Sequence, residues 1–399
     1  METSTISPTQ SSISDTATRF LSLDVFRGLT VCFMIVVNTP GSGATPFKPL
    51  LHADWHGFTP TDLVFPSFLF AVGNAMSFAM KKYSALAVPS LRRTGPGTSA
   101  VLAKVVRRTA LIFLLGYLMY WFPFFRLSET GEILGFPIGE TRIWGVLQRI
   151  AVCYGIASLL VYFFAARTVI GLSVLFLVGY WLMLLGWGDP ADPLSLPGNA
   201  VLRLDRFLFG EPHLYKGNGI PFDPEGLLST LPAIVNVIIG YYAGQFVQRV
   251  GKNYQSTATL LLVGAALIFA ALCWDMVFPI NKKLWTSSFV LLTTGLDLTM
   301  LATLIYVIEI RNWNAANWTQ FFVIPGKNPL FIYLLSEVLA ISLSMIPVGG
   351  ENLFGWINSH LVQRLVPGAI GSLLFALSFM LLCWSAGWAL DRRKIYIRV

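Results

Sequence analysis

The stretch LHADWHGFTPTD, residues 51–62, places two histidines, two aspartates and a tryptophan within one short connection. An imidazole takes up and returns a proton near neutral pH, and a nearby carboxylate can fix its tautomer. His52 and Asp62 are therefore a candidate general base and its orienting acid, the pair that transfer onto an amine requires. Asp62 has a second reading. Thr59 can be an N-cap, Pro60 takes the first helical position and Asp62 the third, so the acid serves a helix start equally well. Capping leaves His52, Trp55 and His56 unexplained. Trp55 and His56 fit a sugar-stacking wall, although for Trp55 an interfacial aromatic belt is the better expectation.

Further polar groups stand near other helix ends. TRIWGVLQRI carries Arg142, Gln148 and Arg149; FDPEG carries Asp223 and Glu225. Arg142, Arg149, Asp223 and Glu225 are candidate substrate-binding residues. Asp223 and Glu225 also read as caps of the following helix, and Arg149 either faces a cavity or snorkels to the interface. SLDVFRG offers Ser22 as an N-cap with Asp24 and Arg27 behind it. Arg27, Arg107 and Arg108 are candidates for gripping phosphates, although Arg107 and Arg108 are explained equally well as orientation signals. Asn74, Asn236, Asp297, Asn328 and Glu337 fall inside apolar runs. There a carboxylate suggests function, and an amide suggests bonding between helices. Cys32, Cys153, Cys273 and Cys383 read as small buried hydrophobes, and no metal is expected. The P-loop, GxGxxG, G-x-S-x-G and HExxH patterns are missing from the sequence.

These residues need elements to position them. Of 399 residues, 55% are hydrophobic and 12% charged, with mean hydropathy +0.66. Soluble domains carry about 25% charge, so the bilayer is the solvent for most of this chain. The class is all-α, a polytopic membrane protein with about ten spans in one bundle. The expected spans are 22–39, 61–80, 104–124, 144–164, 168–187, 227–247, 257–279, 286–308, 328–347 and 367–390, each near the ~20 apolar residues a crossing needs. Lys81, Lys82, Arg92, Arg93, Lys104, Arg107, Arg108, Arg167, Arg249, Lys252, Arg311, Arg392, Arg393, Lys394 and Arg398 fall on one side if both termini are cytoplasmic. That distribution explains the net charge of +8 without nucleic acid. Residues 1–19 read as a disordered cytoplasmic tail, 20–391 as the membrane domain and 392–399 as a basic cytoplasmic tail. The His52 loop then faces the periplasm.

SLDVFRGLTVCFMIVVN followed by LHADWHGFTPTDLVFPSFLFAVG resembles the start of the heparan-α-glucosaminide N-acetyltransferase family. RIWGVLQRI, FDPEGLLSTLPAIVNVIIGYYAGQ and GKNPLFIYLLSEVL resemble its later segments, in order. The resemblance implies a transmembrane acyltransferase moving acetyl from cytoplasmic acetyl-CoA to the amine of a terminal glucosamine across the membrane. It implies that His52, in an H-A-x-W-x-G segment, is the active histidine, with Asp62 as its carboxylate. It also implies a homodimer. Two departures stand out. The large lumenal domain is missing, and position 56 is His where a small polar amide is expected. The chain is also similar to bacterial NagX-type proteins of amino-sugar use, which places it in a bacterial inner membrane and makes heparan sulfate an unsuited acceptor.

Two functions follow. In the first, His52 is the base of an acetyl-CoA-dependent transfer to an amino sugar, with Asp62 orienting it and Asp24, Arg27, Arg107 and Arg108 at the donor site. Direct transfer and an acetyl-histidine relay both remain open, as does an acceptor on lipid or cell-wall sugar. In the second, the chain is a secondary transporter of amino sugars or chito-oligosaccharides, with Asp297 and Glu337 coupling protons and His52 in a vestibule.

Overall fold

A computed structural model describes residues 20–41, 46–84, 96–127, 132–314 and 317–397. The expected tail 1–19, Arg92, Arg93 and Arg398 lie outside the described residues. The chain is a helical bundle in which long apolar stretches saturate their own backbone hydrogen bonds, as a bilayer demands. In order, the helices are α1 (Leu21–Asn38), α2 (Val64–Ser84, entered through a 3-10 turn Pro60–Leu63), α3 (Pro96–Trp121), α4 (Val146–Phe163), α5 (Ala166–Trp187), α6 (Ala200–Phe209), α7 (Thr230–Val250), α8 (Tyr254–Asp275), α9 (Ser287–Leu304), α10 (Thr319–Lys327), α11 (Pro329–Ser344), α12 (Leu353–Trp356), α13 (Gln363–Leu365) and α14 (Ala369–Arg392). Two small antiparallel hairpins, β1 (Phe125–Leu127) with β2 (Ile133–Gly135) and β3 (Pro347–Val348) with β4 (Glu351–Asn352), sit in connections.

By length and apolarity, eight straight helices among the described residues can cross a membrane, and α10 with α11 forms a ninth, bent by 82°. The count therefore departs from ten in one place. α3 is 26 residues long, but Lys104, Arg107 and Arg108 fall within it and it does not qualify on apolarity. The ninth expected span, 328–347, is broken at its start. Asn328 leaves helical geometry (φ −130°, ψ 49°) and Pro329 follows at the first helical position, where its missing N–H costs nothing.

α2 and α7 form the centre. In each, 72% of the apolar stretch is buried, against 28% in α5 and α8, which turn most of their surface outward to lipid. The central pair is tight because both helices carry glycine where they meet. A Cβ at Gly73 would collide with the Val237 carbonyl, and one at Gly240 with the Phe70 carbonyl, the small-residue approach that membrane helices favour.

Contacts divide the bundle into two faces. α2, α4, α7 and α9 begin at the face where His52 lies, and the loops before them touch one another. At the opposite face, Arg27 donates to the Gly326 carbonyl (3.3 Å) and Asn328 holds the C-terminal segment through Ile395 O (3.0 Å) and Ile397 N–H (2.8 Å). Both ends of the described chain thus share the Arg27 face.

Several local expectations are corrected. Ser22 does not cap α1; its N–H and hydroxyl both donate to Glu309 Oε1 (3.1 and 3.2 Å). Asp223 and Glu225 do not cap a helix either, because α7 starts only at Thr230. Asn328, expected to bond helix to helix, stands at the break before α11 with its side chain bonded to the C-terminal segment. Asn236 does bond helix to helix, reaching Thr293 on α9 (3.3 Å). Asn74 is buried, yet neither of its side-chain polar atoms has a partner among the described residues. Cys273 is exposed on α8, whereas Cys32, Cys153 and Cys383 are buried.

Candidate active site

Asp62 fulfils both readings at once, one oxygen for each. Oδ2 accepts the Thr59 N–H (2.9 Å) and completes the capping box that starts α2, and it also accepts the Ala53 N–H (3.2 Å). Oδ1 lies 2.6 Å from His52 Nδ1. The carboxylate is buried, with 1% of its side chain exposed against 42% for His52. A fixed, buried acid on Nδ1 selects the tautomer that carries its proton there and leaves Nε2 as the accepting nitrogen.

A lysine completes the group. Lys282 Nζ stands 3.0 Å from both ring nitrogens of His52 and 3.9 Å from Asp62 Oδ1. Burial lowers the Lys282 ammonium below its usual range, against the opposing pull of Asp62 and Glu225. Sequence reasoning missed this residue. A signal was present: NKKLW puts two lysines at the end of a chain segment opposite to the one that carries the orientation-setting charges.

The loops bearing His52 and Lys282 are sewn together. Gly57 N–H donates to Ile280 O (2.8 Å), Lys283 Nζ to Asp54 O (2.9 Å), and Asn281 Nδ2 lies 3.4 Å from His56 Nδ1. Burial lowers the His56 imidazole, with Asp192 and Asp275 pulling the other way. Trp55 is half-buried among these loops. Its indole donates to Leu194 O (2.9 Å) and its ring packs edge-on against buried Phe222. The Lys282 turn is locked by Asn281, whose Oδ1 accepts Leu284 N–H (2.8 Å), and by buried Trp285, held at φ +53°. A non-glycine residue in that region needs surroundings that enforce it. Here Trp285 Nε1 donates to Asn236 Oδ1 (3.1 Å) and the Arg149 guanidinium lies over its ring at 4.8 Å.

Arg149 is fully buried on α4, so it does not snorkel. Its Nη2 donates to Pro224 O (3.0 Å), Gly226 O (3.2 Å) and the Ser229 hydroxyl, while Nε and Nη1 have no partner among the described residues. Gln148 beside it is likewise buried without a partner for its amide. Arg142 donates twice to Asp223 (2.6 and 2.8 Å) and once to Glu225 (2.6 Å), between the rings of Tyr120 and Tyr215. Burial raises the Asp223 carboxyl against Arg142. At Glu225 burial is outweighed by Arg142, Arg149 and Lys282, which hold it low. The four substrate-binding candidates are thus drawn into one cluster, chiefly bonded to itself and to the 224–229 turn.

The opposite face gathers less. Arg27 lies 3.9 Å from Asp24, one turn away on α1, which packs on α10, α2 and α14. Arg107 and Arg108 are on α3, which packs on α4; Arg107 is exposed, and Arg108 lies over the Tyr154 ring at 4.8 Å. The structure therefore sets Arg27 and the α3 pair on different helix packings. Within the bundle, Asp297 is fully buried and accepts from Ser67 (2.5 Å), its Oδ2 without a partner among the described residues. Glu337 accepts from Asn38 (3.2 Å). Among the described residues, no group of three or more His, Cys, Asp and Glu could hold a metal ion.

Known proteins match this framework. The chain is 27% identical over 421 residues to heparan-alpha-glucosaminide N-acetyltransferase of Mus musculus, covering 90% of this chain and 59% of that protein. It is 28% identical over 376 residues to the Homo sapiens protein of the same name, covering 80% and 53%. No family model matches the chain. The chain spans between half and three-fifths of the length of these relatives. The family resemblance carried by the motifs is borne out by matches of this extent.

Proposed function

From this kinship as premise, we propose that the chain is a transmembrane acetyltransferase that moves acetyl from acetyl-CoA to the amine of a glucosamine-type sugar. The carrying observation is the 2.6 Å contact between His52 Nδ1 and the buried Asp62 carboxylate. It leaves Nε2 of a partly exposed imidazole as a base aimed away from its support. An ammonium has no lone pair, so the acceptor must shed a proton before it attacks. His52 takes that proton, and Asp62 stabilises the imidazolium that results. Acetyl transfer from a thioester to an amine is downhill, so no nucleotide hydrolysis is needed.

The donor enters from the Arg27 face, which we assign to the cytoplasm of a bacterial inner membrane, and the acceptor meets His52 at the periplasmic face. Arg27 and Arg108 are the donor-phosphate candidates on that face. They stand on separate helix pairs, so we assign them to different phosphates of one donor rather than to a single cradle. On the acceptor side, Trp55 and His56 border His52, and the Arg142–Asp223–Glu225 group frames the sugar site.

The test is reconstitution in liposomes with labelled acetyl-CoA on one side and glucosamine on the other. N-acetylated sugar that disappears in His52→Ala, with acetyl-CoA still bound, is the expected result. Normal turnover in that variant removes His52 from the mechanism. Failure of the intact protein to bind acetyl-CoA overturns the reading. Buried Asp297, with one oxygen unpartnered among the described residues, favours transport as the second reading. Proton-coupled sugar uptake that vanishes in Asp297→Asn would establish it.

A further inference from the structure

Four cations stand close to His52 or to its neighbours, and three have partners elsewhere. Arg142 is spent on Asp223 and Glu225. Arg149 donates to the 224–229 turn. Lys283 donates to Asp54 O and lies 6.0 Å from the Trp55 ring centre. Lys282 differs, because its partners are the proposed base and its acid, at 3.0 and 3.9 Å. Its backbone is fixed by the Asn281 and Trp285 turn, while four methylenes leave the ammonium free to move by the few ångströms that an inserted acetyl group occupies.

We propose that Lys282 is a further catalytic residue of the transfer: its ammonium receives the thioester carbonyl oxygen and holds the negative charge that develops there as the amine adds. The proposal rests on the acetyl-transfer reading above and adds to it the group that stabilises the oxyanion. Geometry requires such a group beside the base. The base holds the amine, the amine nitrogen approaches the carbonyl carbon, and the carbonyl oxygen lies one bond further on. A donor already touching the base is therefore close to where that oxygen will sit.

The step balances. The neutral amine forms a bond to the thioester carbon, and the C=O electron pair moves to oxygen, facing Lys282 Nζ. His52, having released the ammonium's first proton to solvent, takes the N–H proton of the adding amine on Nε2. Collapse re-forms C=O and breaks C–S, and the departing CoA thiolate takes the proton from His52. Lys282 keeps its own proton throughout. Its charged neighbours are Asp62 and Glu225, which favour the ammonium, and Arg149 and Lys283, which oppose it. Asp62 and Glu225 favour its charged form, and in this half-buried setting a positive charge counts for more than in water.

The experiment uses the full-length protein with acetyl-CoA carrying carbon-13 in the thioester carbonyl. Infrared difference spectra of the bound donor should show the carbonyl stretch moved to lower frequency in the intact protein and returned toward the free value in Lys282→Met. A packing role would leave that stretch unmoved. Turnover should fall about 10²–10³-fold in Lys282→Met at unchanged acetyl-CoA affinity, with partial recovery in Lys282→Arg. Lys282→Gln serves as the neutral variant if the methionine form does not fold. Bound donor with the same stretch in intact and neutral forms, or undiminished turnover, overturns the role of Lys282 and leaves the acetyltransferase reading standing. Intact protein that binds no acetyl-CoA overturns both.

Discussion

Two acid–base clusters share one face of the bundle and are built to opposite ends. Around Arg142, both oxygens of Asp223 and one of Glu225 accept from a single guanidinium, which also lies between two tyrosine rings. Around His52, one carboxylate oxygen is committed to a helix cap, the other orients an imidazole that stays 42% exposed, and a lysine crowds both. A saturated, buried cluster holds backbone in place; removing one member leaves an uncompensated charge. A cluster whose imidazole is partly exposed, and whose Nε2 meets only a flexible lysine, can exchange that contact for a substrate's proton. The same residue types therefore separate by satisfaction and exposure, and the contrast assigns stability to one cluster and chemistry to the other.

The largest effects should pull the two apart. His52→Ala is expected to lower acetyl transfer by about 10²–10⁴-fold while costing about 1–3 kcal/mol of unfolding free energy, for the buried Asp62 oxygen left without its partner. Thermal unfolding in detergent beside the transfer assay checks both halves. Arg142→Ala should destabilise the fold more, by about 3–5 kcal/mol, because buried Asp223 and its neighbour Glu225 lose their shared guanidinium. Equal stability of the two variants would erase the distinction.

Acidity sharpens it further. Asp205 on α6 is buried beside the 226–227 backbone, and burial raises its carboxyl from 3.8 to about 7. An acid raised on folding binds more protons folded than unfolded, so stability is greatest below the unfolded value and falls as pH rises from about 4 to about 7. The loss is on the order of 4 kcal/mol, from the energy equivalent of a pKa unit. Unfolding measured across that window should slope downward in the intact protein and flatten in Asp205→Asn; parallel slopes would show that another group sets the dependence.

Much of this was legible beforehand, for physical reasons. Apolar runs must become helices in lipid, and the capping pattern Thr59-Pro60-Thr61-Asp62 fixed where α2 begins. His52 and Asp62 are near in sequence, so one turn brings them together. Lys282 was not legible because it reaches His52 from 230 residues away, through a loop whose closing bonds, Gly57 to Ile280 and Asn281 to Leu284, belong to tertiary structure. Asp223 and Glu225 read as caps because acids at a helix mouth have that local use; only the fold shows Arg142, from the loop before α4, claiming them. The expected span 328–347 began at the bend, so the short helix α10 before it went unread, although Pro329 marked the break.

The smallest expected effect concerns the seam that joins the two clusters. Trp55 spans it, with its ring against Phe222 next to Asp223 and its indole N–H on Leu194 O at 2.9 Å. Trp55→Phe keeps most of the apolar contact and deletes one hydrogen bond, worth about 1 kcal/mol. If the seam only packs the outer loops, stability falls by that amount and turnover is unchanged. If it also sets the distance between the His52 loop and the acceptor, turnover falls more than stability does, because small displacements of a base from its reacting atom are costly. Transfer rates compared at matched fractions folded separate the two outcomes, and the second would tie the rigid cluster to the reactive one through a single indole.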